Sequence, residues 1–324
     1  MTIVAHQGEL PMLALSDFHV ADGVTIVPQY VPSDDELQLR LAAGGFGTFD
    51  VIVVGSQALA SMIALNQLEP LAGSLVPNIG ALRAPFDDSP SDSGLHHSVP
   101  ASYDLLGIAV SHKAPVQPTS WASLFAMATR YPGSVVVPDR PNDVIGAILV
   151  TLGHAWDTDS SSDLDDAAQR LETLLPVLRI AGHKPPVIGG HTTPPTVTGR
   201  SQQPLAYMTS SSGYGTVRAG VRFVVPSEGT AVDVRSYCIP IYAPHPVAAL
   251  AWINNWLQPS IEAGAARELH RAVPLAEARP LMHPGLVLNE AICPPLTALA
   301  SSVQPSYSAA GTDRRARIWS ELIV

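Results

Sequence analysis

VPASYDLLGIAVSHKAPVQPTSWASLFAMATRYPGSVVVPDRPNDVIGAILVTLGHAW, residues Val99–Trp156, decides the fold. Leu105–Ser111 has the composition of a strand. Pro118-Thr119-Ser120 then precedes Trp121, and Ser120 is a good cap for a helix running to Arg130. Ser134–Val137 (SVVV) is a short apolar run of the kind buried strands use. It ends in Pro138-Asp139-Arg140, and a new helix starts at about Asn142. Polar groups are therefore placed where a strand gives way to a helix, the position at which ligands sit in α/β proteins.

Working outward, Met1–His6 and Val24–Tyr30 read as strands. Ser33–Ala43 (SDDELQLRLAA) combines a serine cap, early acids and helical spacing of apolar residues, and it stops at Gly44-Gly45. Phe49–Val54 is a buried strand by composition. It leads through Gly55-Ser56-Gln57 into a helix ending near Leu68. This order points to a largely parallel, layered sheet. Further on, Asp163–Val177 is amphipathic, and Ala181–Pro204 reads as a Gly/Pro/Thr-rich excursion. Leu205–Met208, Val221–Pro226 and Tyr237–Tyr242 read as strands, and Pro246–Leu257 and Pro259–His270 as helices. The last thirty residues are less periodic.

The chain has 324 residues, enough for two cores of ordinary size. Charged residues make up 14% and hydrophobic residues 46%, which excludes wholesale disorder. A formal charge of −10, with no Lys/Arg cluster, argues against a nucleic-acid partner. Cys238 and Cys293 lie far apart without metal-ligand spacing, so neither a disulfide nor a metal site is expected. No stretch approaches the ~18 apolar residues of a membrane span. No export signal precedes the first strand. The expectation is a cytoplasmic protein if Met1 is the native start, and a periplasmic or extracellular one if the start has been trimmed.

The ordered set of segments resembles the periplasmic spermidine/putrescine-binding proteins of bacterial ABC importers, within the extracellular solute-binding superfamily. The resemblance covers nearly the whole chain. It runs from MTIVAHQGELP through LQLRLAAGGFGTFDVIVVGSQALASMIALNQLEPL, HSVPASYDLLGIAVSH, PTSWASL and VVVPDRPNDVIGAILVTLGH. It ends with VVPSEGTAVDVRSYCIPIYAPHPVAALAWINNWLQP and RAVPLAEA. It implies a two-lobed α/β periplasmic-binding-protein-like fold (type II), with a ligand in the cleft between lobes. The expected lobes are 1–107 plus about 241–324, and 108–240. No cofactor is implied. An ABC permease is the implied partner if the chain is exported.

The resemblance also implies which positions should meet a ligand, and there the sequence departs from the family. Family members hold polyamine ammonium groups with carboxylates and sandwich the methylene chain between aromatics. Here the first aromatic-lined loop carries His6 and Glu9. A strand-end acid is replaced by Arg140, with Asp143 keeping the second acid. The tryptophan after the LAYM strand is Thr209. A tryptophan and an aspartate before the CIP segment become Asp233 and Arg235, and an aromatic before Val273 becomes Arg271. Tyr103-Asp104 stand at a cleft-lining Trp-Gly pair, Tyr103 being equally suited to a core role.

Arg140, Arg235 and Arg271 thus map toward one site in a chain with only eighteen basic residues. Guanidinium forks match carboxylate or phosphate, and they would meet a polyamine as repulsion. The expected ligand is a small acidic or zwitterionic metabolite, such as a carboxylate, phosphonate or amino-acid-like molecule, and not spermidine. Glu9, Asp104, Asp143 or Asp233 would take any amino group. A plainer alternative has the arginines pairing with Asp143 and Asp233. Ser56 and Gln57 after one strand, and Ser210 and Ser211 with Ser212-Gly213 after another, would offer hydroxyls and N–H groups to an anion or simply begin helices. The adjacent His96-His97 reads as an exposed loop, and no metal is expected. The competing function is a cytoplasmic enzyme on the same fold, with His6 and Glu9 as candidate acid/base residues.

Overall fold

The computed structural model describes residues 1–181, 205–211 and 220–323. The chain forms two compact units. One comprises Met1–Tyr103 and Asp233–Leu288, the other Asp104–Val232 and Asn289–Val324.

In the first unit, β1 (Thr2–His6) pairs in parallel with β2 (Val27–Val31) and β3 (Val51–Gly55). β3 pairs antiparallel with β9 (Val232–Cys238), in a register that sets Gly55 opposite Arg235. All five residues of β3 are buried, as its unbroken apolar composition requires. On one side of the sheet, Val4, Ile52 and Val54 pack with Leu37 of α2 (Asp34–Arg40) and with Leu59 and Met62 of α3 (Ser56–Ala64). Cys238 belongs to the same core, and burial pushes its thiol up. A second packing group joins Phe18 of α1 (Met12–Asp22) and Tyr237 edge-to-face with Trp252 of α7 (Pro246–Trp256). Helix α8 (Pro259–Leu269) completes the unit. Its Glu268 carboxylate accepts the Met12 and Leu13 N–H groups at 2.7 and 3.1 Å, capping α1 from across the chain.

In the second unit, the latter part of β4 (Ser98–Ser111) pairs antiparallel with β7 (Ala206–Ser210) and β8 (Val221–Val224). β7 and β6 (Arg179–Ala181) run parallel to β5 (Val135–Pro138). Helices α4 (Trp121–Arg130), α5 (Pro141–Thr151) and α6 (Ser161–Leu174) bury Trp121, Phe125, Ile145, Ile148, Leu164 and Leu171 in its core. Ser33 and Ser120 cap α2 and α4 as their sequences predict, accepting from Glu36 and Ser123 N–H.

The division differs from the expected lobes in three places. The first boundary falls at Tyr103/Asp104, because Tyr103 donates its N–H to Ala272 O and stacks on Phe86 within the first unit. The second falls at Val232/Asp233. β9, expected at Tyr237–Tyr242, begins earlier and pairs with β3. The third correction is the largest. Residues 289–324, expected to pack with the first unit, belong to the second. Helix α9 (Ala309–Leu322) buries Ile318 and Trp319 in that unit's core, and Trp319 Nε1 donates to Asp139 at 2.7 Å. Its fully buried Arg315 donates to Thr158 O at 2.6 Å and lies over the Tyr307 ring. Most of the Ala181–Pro204 excursion and Ser212-Gly213 lie outside the described residues.

Candidate functional site

The first unit gathers charged side chains at the ends of its strands. β1 ends at His6, and the turn after it carries Gly8 at φ +79°, which favours glycine, and then Glu9. Ser33 starts α2 so that Asp34 is its first residue. β9 brings Arg235 across from Gly55, and Arg271 follows α8.

Arg235 is the hub. Its Nη1 and Nη2 donate to the two oxygens of Asp34 at 2.7 and 2.9 Å, a bidentate fork. Nη2 also donates to Val53 O at 3.1 Å and to Glu9 Oε2 at 3.3 Å, while Nε makes a close ionic contact with Glu9 Oε1 at 2.8 Å. Glu9 is further held by the His6 backbone N–H at 2.9 Å, and Arg271 Nη1 lies 3.5 Å from its Oε1. Asp34 also accepts the Gly55 N–H at 3.0 Å. His6 Nε2 lies 3.0 Å from Asp34 Oδ1. The approach is tight at Gly55, where a Cβ would lie 2.9 Å from Arg235 Nη1 and 3.2 Å from Asp34 Oδ2.

Burial pushes the Asp34 carboxyl up, but hydrogen bonds and charge from Arg235, with the Gly55 N–H, hold it below the usual carboxylate range. Desolvation acts downward on Arg235, yet its two acids keep the guanidinium above its ordinary value. Exposure is graded across the cluster. The Glu9 and Arg235 side chains are 3% and 9% exposed, against 20% for Arg271 and 22% for Asp34.

The structure therefore joins His6, Glu9, Arg235 and Arg271, and it adds Asp34, whose sequence context marks only a helix start. Arg235 does pair with carboxylates, but they are Asp34 and Glu9, whereas Asp233 is exposed. Ser56 is half-buried and Gln57 exposed at the start of α3. Tyr103 is buried against Phe86.

In the second unit, Arg140 Nη2 lies 2.6 Å from Asp143 Oδ2, as the plainer alternative for that pair expects. Burial raises the Asp143 carboxyl above the usual range, and Arg140 offsets this only in part. The buried Ser211 hydroxyl accepts from Leu105 N–H and donates to Asp104 Oδ1, both at 3.0 Å. Ser210 is half-buried at the end of β7. Beside it Thr209 is buried, its hydroxyl without a hydrogen-bond partner among the described residues. In the first unit, His96 and His97 donate their backbone N–H groups to Asp92. Among the described residues no three His, Cys, Asp or Glu side chains are grouped to hold a metal, and no helix is long and apolar enough to cross a membrane.

A family model for bacterial extracellular solute-binding proteins matches residues 14–281. The chain belongs to that family. This solute-binding protein is 23% identical over 298 residues to the spermidine/putrescine-binding periplasmic protein of Escherichia coli K12, covering 88% of this chain and 80% of the relative. It is 25% identical over 318 residues to a putrescine/cadaverine-binding protein of Pseudomonas aeruginosa, covering 95% and 89%. The crystal structure of a spermidine/putrescine ABC transporter substrate-binding protein from Streptococcus pneumoniae matches with a TM-score of 0.86 at 18% identity, over 99% of this chain and 98% of that one. The two-lobed α/β periplasmic-binding-protein fold (type II) follows from that likeness, and the solute-binding family from the family model.

Proposed function

We propose that this solute-binding protein takes a small acidic or zwitterionic metabolite bearing a carboxylate or phosphonate, and not a linear polyamine. The reading is carried by the state of the two acids in the first unit. Asp34 receives both arms of the Arg235 fork and the Gly55 N–H. Glu9 receives Arg235, Arg271 and the His6 N–H. A carboxylate accepts about four hydrogen bonds, so neither has much left to offer an ammonium group. Both carboxylates already face guanidinium groups, so a further cation would meet the positive charge of Arg235 and Arg271 with few acceptor positions left to offset it. Arg271, more exposed than Arg235, is the group assigned to the ligand's acid. Ser56 and Gln57 are assigned supporting hydrogen bonds.

Thermal unfolding with a ligand panel tests this. Glutarate, γ-aminobutyrate, glutamate and aminoethylphosphonate should include at least one compound that raises the melting temperature. At a hundredfold excess over Kd the stabilisation is about 2.7 kcal/mol. Spermidine and putrescine should leave the transition unmoved. Stabilisation by the polyamines alone would overturn the reading. If the chain reaches an extracytoplasmic compartment, an ABC permease is the proposed recipient of the ligand, and fractionation of cells expressing the full gene decides the compartment.

A further inference from the structure

We propose that Glu9, Asp34 and the Val53 carbonyl form a preformed seat for a planar alkylguanidinium cation, and that the chain fills this seat with its own Arg235. The inference deepens the reading above, since it supplies the reason a polyamine is refused: the cation site is taken from within.

The acceptors are fixed by groups other than Arg235. Glu9 is held by the His6 backbone N–H at 2.9 Å. Asp34 is held by the Gly55 backbone N–H at 3.0 Å, and it is the first residue of a helix whose start is set by Ser33. The Val53 carbonyl belongs to the fully buried strand β3. Removing the guanidinium therefore leaves the acceptors largely where they are, which distinguishes a seat from a mutual collapse of opposite charges.

The fit is to a guanidinium in particular. Two parallel bonds to Asp34 at 2.7 and 2.9 Å use its fork, Nη2 also reaches the Val53 carbonyl at 3.1 Å and Glu9 Oε2 at 3.3 Å, and Nε adds an ionic contact with Glu9 Oε1 that is not a hydrogen bond. Gly55 leaves the space the group occupies, since any Cβ there would press on Nη1.

The test is chemical rescue. Arg235→Ala removes the atoms that ethylguanidinium carries, and the variant should unfold well below the wild type. Millimolar ethylguanidinium should return at least half of the lost melting temperature in a saturable way, with ethylammonium returning less. Wild type should show no such response, nor should Arg235→Ala combined with Glu9→Gln and Asp34→Asn. Should Arg235→Ala fail to fold, its refolding yield with and without ethylguanidinium is the readout, and a rise in yield supports the seat. The same small response from all three proteins, or a yield that ethylguanidinium does not change, overturns it. Failure of the rescue leaves carboxylate binding by the wild type untouched. Failure of the wild type to bind any carboxylate, with rescue intact, leaves the seat standing and removes only the ligand reading.

Discussion

Arg235 in the first unit and Arg140 in the second each stand near a strand end with a carboxylate at hydrogen-bonding distance, yet the two are physically unlike. Arg140 is the cap residue of α5 and pairs with Asp143, three residues on, with its side chain 57% exposed. Arg235 is buried, and its partners lie 201 and 226 residues away. A local pair at a helix start forms whenever the helix does, and solvent screens it. A buried network exists only when three strands and a helix are already assembled, and little solvent is left to replace a lost partner. The contrast teaches that an arginine placed by resemblance acquires its meaning from burial and from the partner the fold delivers.

The sharpest way to break that contrast is Arg235→Ala. It leaves Glu9 and Asp34 facing each other in a poorly solvated place, and loss of one partner of a buried pair costs about 3–5 kcal/mol. Denaturant midpoints at neutral pH should show a loss of that order. A loss below about 1 kcal/mol would place Arg235 in the same class as a surface ion pair.

Next in size is Gly55→Ala. The added methyl group meets Arg235 Nη1 and Asp34 Oδ2, and overpacking of this kind costs about 1–3 kcal/mol. The substitution is also diagnostic. In the Arg235→Ala background the methyl group has lost its first obstacle, so the two losses should add to less than their sum. Full additivity would show that Gly55 is required for some reason other than the fork.

The same contrast explains what the sequence could tell. The strands and the serine-capped helices were legible because their signals are local: Ser33 with Glu36, Ser120 with Ser123, the apolar run of β3. Helix α1 went unseen. Pro11 gives it no side-chain cap, and its first N–H groups are satisfied by Glu268, 256 and 255 residues away. Helix α9 went unseen because its buried face includes an arginine, Arg315, whose partners Asp159 and Thr158 lie far back in the chain. At the site, His6, Glu9, Arg235 and Arg271 were legible as positions through the resemblance. Asp34 was not, since an acid behind a serine cap already had a sufficient local explanation. Nothing in its neighbourhood pointed to a guanidinium on β9.

The smallest expected effect is that of Arg140→Ala, and its pH dependence carries the argument. Burial raises the Asp143 carboxyl, so the fold favours its protonated form. Stability from this group is fullest below the unfolded carboxylate value of about 3.9 and is lost as pH rises through the raised folded value. Arg140 acts against that loss, because it stabilises the charged form. Removing it should therefore cost about 0.2–1 kcal/mol at neutral pH, since its guanidinium is exposed and solvent screens the pair even though Asp143 is buried. The cost should vanish on acidification, once Asp143 holds its proton in both proteins. Asp143→Asn should raise stability at neutral pH and leave it unchanged in acid. Urea midpoints of the three proteins between pH 3 and pH 8 check the signs. A cost for Arg140→Ala that persists in acid would mean that the guanidinium is held by something other than Asp143, and that the second unit, too, contains a network its local spacing conceals.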